Sequence, residues 1–172
     1  MVTSTIITKI FGISLLAFVF ACQTNVATQA QQDKSSPFSP TVAKPKLSEI
    51  DNDAIKKVLE SAVEQTTLTK TYDPAYVVLP YPNGDVPIEK GVCTDVVIRG
   101  FRKAGIDLQK EVHEDMSKNF TVYPKKWGLK KADSNIDHRR VPNLQTYFTR
   151  KGKSLPITEK AENYKPGDVV AW

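Results

Sequence analysis

An α+β domain is predicted by two features of this chain. Several stretches carry apolar residues at helical spacing, and short β-rich runs lie between them, set off by proline and glycine. The first helix is expected from Ser48 to about Gln65, with Ser48 as cap and Ile50, Ala54, Val58, Leu59, Ala62 and Val63 on one face. TYDPAYVVLPYPNGDVP follows, with a β-rich run from Tyr76 to Leu79 and an Asn83-Gly84 turn signal. A second helix opens at GVCTDVVIRGF. Val96, Val97, Gly100, Phe101 and Ala104 form its apolar stripe, and Gly105 stops it. Gly100 on that stripe predicts the close approach of another backbone. Cys93, three and four residues ahead of Val96 and Val97, is expected on the buried edge of the stripe. A third helix, Asp107 to Lys118, should bury Leu108, Val112 and Met116. Phe120 to Lys131 reads as an aromatic and basic loop. Pro142 starts a short helix with Leu144, Tyr147 and Phe148 inward, and Gly152 ends it. KPGDVVAW reads as a turn feeding a strand.

Four helices against two strands make little sheet, and the last strand has no neighbour to pair with. The expectation is therefore a domain incomplete at its C-terminus.

Residues 1–22 have the pattern of an export signal. Lys9 and the amino terminus are positive, Ile10 to Ala21 is apolar, and Ala21 precedes Cys22. Those twelve apolar positions fall short of the roughly 20 that a membrane-spanning helix needs. Cys22 leaves two outcomes open: lipidation, as in a bacterial lipoprotein, which would anchor the protein to a membrane, or simple cleavage. The expected location is outside the cytoplasm, periplasmic or membrane-anchored. In either case Cys93 remains as an unpaired thiol. Residues 23–46, rich in Gln, Thr, Ser, Ala and Pro and without apolar periodicity, read as a flexible tether. The folded domain is then 47–172. A net charge of +5, from 24 basic and 19 acidic residues, weakly favours anionic surfaces. Export, and the lack of a basic run interleaved with aromatics, argue against nucleic acid as a partner.

Cys93 is the leading candidate for chemistry. The N–H groups and positive dipole end of a helix N-terminus favour a thiolate, which is the attacking form of cysteine. A positioned base is also needed, and the chain contains two histidines, His113 and His138. His138, in IDHRR, would have to come within about 3 Å of the sulfur. Asp137, His138, Arg139 and Arg140 form a polar cluster with three readings: a fixed loop, a clamp on a substrate carboxylate through Arg139 and Arg140, or a solvated basic patch. Asp95 reads as a structural cap. Tyr123 and Trp127 line a cleft or fold over the core. Two histidines and one available cysteine make a poor metal set, so neither metal nor cofactor is expected.

GVCTDVVIRGF, DLQKEVHEDMSKNF, NIDHRRVPNLQTYF and PGDVVAW, in that order, resemble the bacterial exported family known as domain of unknown function 1287, over about Tyr72 to Trp172. That family in turn resembles the NlpC-type cell-wall peptidases. The resemblance implies a papain-like fold of helices and antiparallel sheet, in which a cysteine at a helix start faces a histidine on a later strand. It also implies cleavage of amide bonds in peptidoglycan peptides or related amides. It puts Cys93 on the nucleophile and Pro166 to Val170 on the strand before the histidine strand. Tyr81 and Gly84 fall on the segment lining the substrate cleft. The sequence ends ahead of that histidine strand, so the expectation is a truncated hydrolase-like domain, inactive or nearly so. Two alternatives stay open: a non-catalytic module that binds cell-wall peptide, and a gene fragment that does not fold.

Overall fold

The computed structural model describes residues 47–171. The expectations for 1–22, for 23–46 and for Cys22 lie outside them. Four α-helices are present among the described residues: α1 (Asp53–Leu68), α2 (Cys93–Lys103), α3 (Leu108–Lys118) and α4 (Val141–Lys151). Two short strands, β1 (Thr71–Tyr72) and β2 (Lys90–Gly91), accompany them. At a coarse level this is an α+β arrangement, helices with a small sheet.

Capping explains where the helices start. α1 begins at Asp53, later than expected, because the Asn52 side chain accepts the Ile55 N–H at 3.0 Å. Leu47–Glu49 forms a separate 3-10 turn. Asp107 caps α3 through the Gln109 N–H. In α4, Pro142 occupies the first turn, where its missing N–H leaves no hydrogen bond unmade.

The sheet differs from expectation in place and in sense. Thr71 and Tyr72 pair with Lys90 and Gly91, and the pair is parallel rather than antiparallel. The Tyr76–Leu79 run forms no strand. Side chains from elsewhere bind the backbone here instead: Asn135 accepts the Leu79 N–H at 2.9 Å, and just ahead of the run Arg139 donates to the carbonyls of Asp73 and Ala75, each at 3.2 Å. Lys165 to Asp168 makes the expected turn, with Gly167 at φ 100°. Up to residue 171 no strand follows it, and Val169 and Val170 are exposed.

Ile98 of α2, Leu108 and Val112 of α3, and Leu144 and Tyr147 of α4 form the apolar core, with Val97, Phe101 and Phe148 against it. α1 packs on α2 where residue 100 has no side chain. A Cβ there would lie 3.1 Å from Val58 Cγ1 and 3.2 Å from the Val58 carbonyl oxygen. Gln65 of α1 donates to the Val96 carbonyl at 3.3 Å, closing the same contact. No helix among the described residues is long and apolar enough to cross a membrane.

Candidate functional site

Cys93 is the first residue of α2, and its side chain is exposed. This corrects the expectation that it lies on the buried edge of the helix. Thr94, Asp95, Ile98, Arg99 and Gly100 are the buried residues of α2, so the most buried face is turned by two positions, ~160° around the helix, from Val96, Val97, Gly100 and Phe101, with Gly100 common to both. The turn follows from polar residues going inward to fixed partners. Arg99 grips Asp85 with Nε at 2.9 Å from one carboxylate oxygen and Nη2 at 3.1 Å from the other, and also donates to the Lys90 carbonyl at 3.0 Å. Thr94 donates its hydroxyl to the Arg139 carbonyl at 3.0 Å. With these side chains inside, the thiol at the helix start is left facing solvent.

Asp95 does more than cap. Its carboxylate accepts the Val92 N–H at 2.7 Å, anchoring the residue before Cys93. It also takes a two-point contact from Arg139, whose Nε and Nη2 donate to the two carboxylate oxygens at 3.0 Å each. Both side chains are buried, at 2% and 5% exposure. The third nitrogen of Arg139 donates to the Ala75 carbonyl. Arg139 is therefore not half of a substrate clamp: every guanidinium nitrogen is engaged and the group has no open face.

His138 sits beside this pair on the Asp137–Arg139 turn and is 2% exposed. Burial, opposed by Asp95 and reinforced by Arg139, brings its pKa down to about 4. At neutral pH the imidazole is uncharged and holds a proton weakly. Asp137, fully buried, is pushed upward by the same desolvation. Asn143 donates to the Asp137 carbonyl at 3.1 Å, so the turn is tied to the first residues of α4.

Arg140 has the opposite surroundings. Its guanidinium carbon lies 4.1 Å from the centre of the Trp127 ring, and Nη1 is 3.4 Å from Asp137. The side chain is 17% exposed. Nε and Nη2 meet no protein acceptor among the described residues.

The two cleft-lining residues separate. Tyr81 is exposed and meets His113 edge-to-face, with ring centres 5.2 Å apart. Partial burial and the nearby Glu114 carboxylate raise its phenol pKa. Gly84 is buried and lines nothing: its N–H donates to Gln109 at 2.8 Å, and a Cβ there would collide with the Pro80 carbonyl and come within 2.8 Å of Leu79 Cβ. Gln109 in turn donates to the carbonyls of Pro80 and Ser134, so Gly84 serves the loop's packing. Tyr123 is buried and donates its hydroxyl to Asp115 at 2.8 Å, which makes it part of the core. Among the described residues no group of three or more His, Cys, Asp or Glu is placed to hold a metal ion.

The Asp95–Arg139 and Arg140–Trp127 contacts join residues far apart in the chain, and no spacing rule announces such pairs. The one local hint was an arginine, Arg99, in a helix whose neighbours are apolar, since a charge there needs a buried partner.

Comparisons with known proteins come from sequence. The E. coli (strain K12) "Uncharacterized protein YijF" is 53% identical over 139 residues, covering 81% of this chain and 65% of that relative. This chain thus spans just under two thirds of the relative's length. No solved structure matches it. The family model described as "Domain of unknown function (DUF1287)" matches residues 59–172, and the chain belongs to that family.

Proposed function

We propose that this protein is an exported cysteine hydrolase-like domain of the NlpC type, with a papain-like α+β arrangement, whose Cys93 surface receives a cell-wall peptide or related amide. The observation that carries the reading is the exposed thiol at the first position of an eleven-residue helix. The positive end of the helix dipole suits an oxyanion there, and Asp95 and Thr94 fix the helix start against the Asp137–Arg139 turn. In the chemistry proposed, the Cys93 thiolate adds to an amide carbonyl and the amine leaves with a proton. Water then releases the acyl group. Export and any anchoring through Cys22 belong to the same proposal.

The weak point of the catalytic version is the base. His138 is buried with its pKa near 4, and His113 packs under Tyr81. An imidazole like that of His138 is poorly matched to a thiol, and loss of a triad member lowers rates by several orders of magnitude. A second reading is a module that binds cell-wall peptide without cleaving it, favoured by the open edge of Arg140 beside Trp127.

Iodoacetamide labelling of the folded protein at pH 7, mapped by peptide mass spectrometry, tests the thiol. Labelling of Cys93 well above the rate for free cysteine is the expected result, and incubation with a stem-peptide amide should leave an acyl adduct on that residue. Reaction no faster than free cysteine, or only in urea, would remove the nucleophile from the proposal.

A further inference from the structure

We propose that Arg140 is the specificity-determining residue of the Cys93 surface, selecting peptides that carry a free carboxylate through the Nε–Nη2 edge of its guanidinium. This deepens the reading above and rests on it for the location of the site. Three observations support the assignment.

The first is geometric. A guanidinium binds a carboxylate side-on through Nε and Nη2, with two parallel hydrogen bonds. In Arg140 the remaining nitrogen, Nη1, is the one that meets Asp137, while Nε and Nη2 meet no protein acceptor among the described residues. The edge suited to two-point recognition is the edge left open. The second is preorganisation. The guanidinium carbon lies over the Trp127 ring, 4.1 Å from its centre, which restricts the rotation of a long side chain before any ligand arrives. The third is position. Thr94, adjacent to Cys93, is hydrogen-bonded at 3.0 Å to the carbonyl of Arg139, adjacent to Arg140. One residue on each side of that bond separates the thiol-bearing residue from the open guanidinium.

The neighbouring arginine provides an internal contrast. Arg139 already holds a carboxylate, that of Asp95, in the same side-on manner and is closed to ligand. The two adjacent arginines thus divide the work, one fixing the turn and the other facing outward.

Isothermal titration calorimetry on the full chain carrying Cys93→Ala tests this without reaction. The probes are a cell-wall stem peptide with free carboxylates and the same peptide with them amidated. The free acid should bind about tenfold more tightly, as expected for a two-point charge-assisted contact. Arg140→Lys keeps a cation beside Asp137 but loses the fork, and should abolish most of that preference. Trp127→Ala should reduce it several-fold. Equal affinity for both probes, no binding of either, or a preference undiminished in Arg140→Lys overturns the assignment. A circular dichroism melt of Arg140→Lys like that of the parent shows that its result is not one of unfolding. An unreactive Cys93 with an intact preference would sink the hydrolase reading alone, and a reactive Cys93 without one would sink this inference alone.

Discussion

The guanidinium of Arg139 answers a carboxylate and two backbone carbonyls drawn from two segments of the chain, Asp95 and the Asp73–Ala75 stretch. Its removal would leave Asp95 buried with the Val92 N–H and no cation. An uncompensated buried charge is costly, about 3–5 kcal/mol when one partner of such a pair is deleted. Small domains have a total stability of about 5–15 kcal/mol, so this is a large share. Arg139→Ala is accordingly predicted to lower the urea midpoint by that equivalent without changing the slope of the transition. Adding Asp95→Ala should destabilise by less than the sum of the two single changes, because the second deletion removes the stranded charge. Strict additivity would mean that the two groups do not sense each other, against the 3.0 Å contacts seen here.

Helices were the readable part of this fold. Leu108, Val112 and Met116, spaced by four, are all buried on α3, and Leu144 and Tyr147 are buried on α4, because the 3.6-residue period leaves little choice of inward face. α2 was read in the wrong rotation. Its valines made the stripe look apolar, but Asp95 and Arg99 had stronger claims on the interior through partners that lie far away in sequence. The same gap hid the surroundings of two residues already singled out: an exposed Cys93 and a closed Arg139 both follow from that rotation. The strands failed for a related reason, since Tyr76–Leu79 has the composition of a strand but its Leu79 N–H goes to Asn135, and Arg139 takes the Ala75 carbonyl just before it. Gly100 was legible because a glycine within an apolar stripe has few other uses. Gly100→Val is predicted to force α1 and α2 apart at Val58, whose backbone oxygen cannot rotate away as a side chain can. The expected loss is about 1–3 kcal/mol, measured by thermal or urea unfolding. Gly100→Ala should fall between the parent and Gly100→Val, since a gain in helix propensity of about 1 kcal/mol opposes a milder contact.

Over the whole molecule, the buried titratable groups set how the protein responds to acid. His138 titrates near 4 when folded, against 6.5 for an ordinary histidine, because burial outweighs the pull of Asp95. The unfolded chain therefore takes up this proton first. The contribution of His138 is complete above about pH 6.5 and is lost as pH falls toward 4, by up to about 1.4 kcal/mol per pH unit. Asp137 acts with the opposite sign. Burial raises its pKa above 3.8, so the folded state binds that proton first, which offsets part of the loss at the lower end of the window. Asp115 extends the sensitivity further down. Arg150, with help from Tyr123 and Lys151, holds it at about 2, so its contribution is present above 3.8 and disappears only as pH falls from there toward 2. Two separate declines are predicted when urea midpoints are plotted against pH, one between 6.5 and 4 and one below 3.8. His138→Gln should flatten the upper decline and leave the lower one. The readout is the slope rather than the absolute stability, since glutamine in a histidine's place changes packing at every pH alike. Equal slopes for parent and variant between pH 6.5 and 4 would mean that His138 takes up its proton in the folded protein as readily as in the open chain.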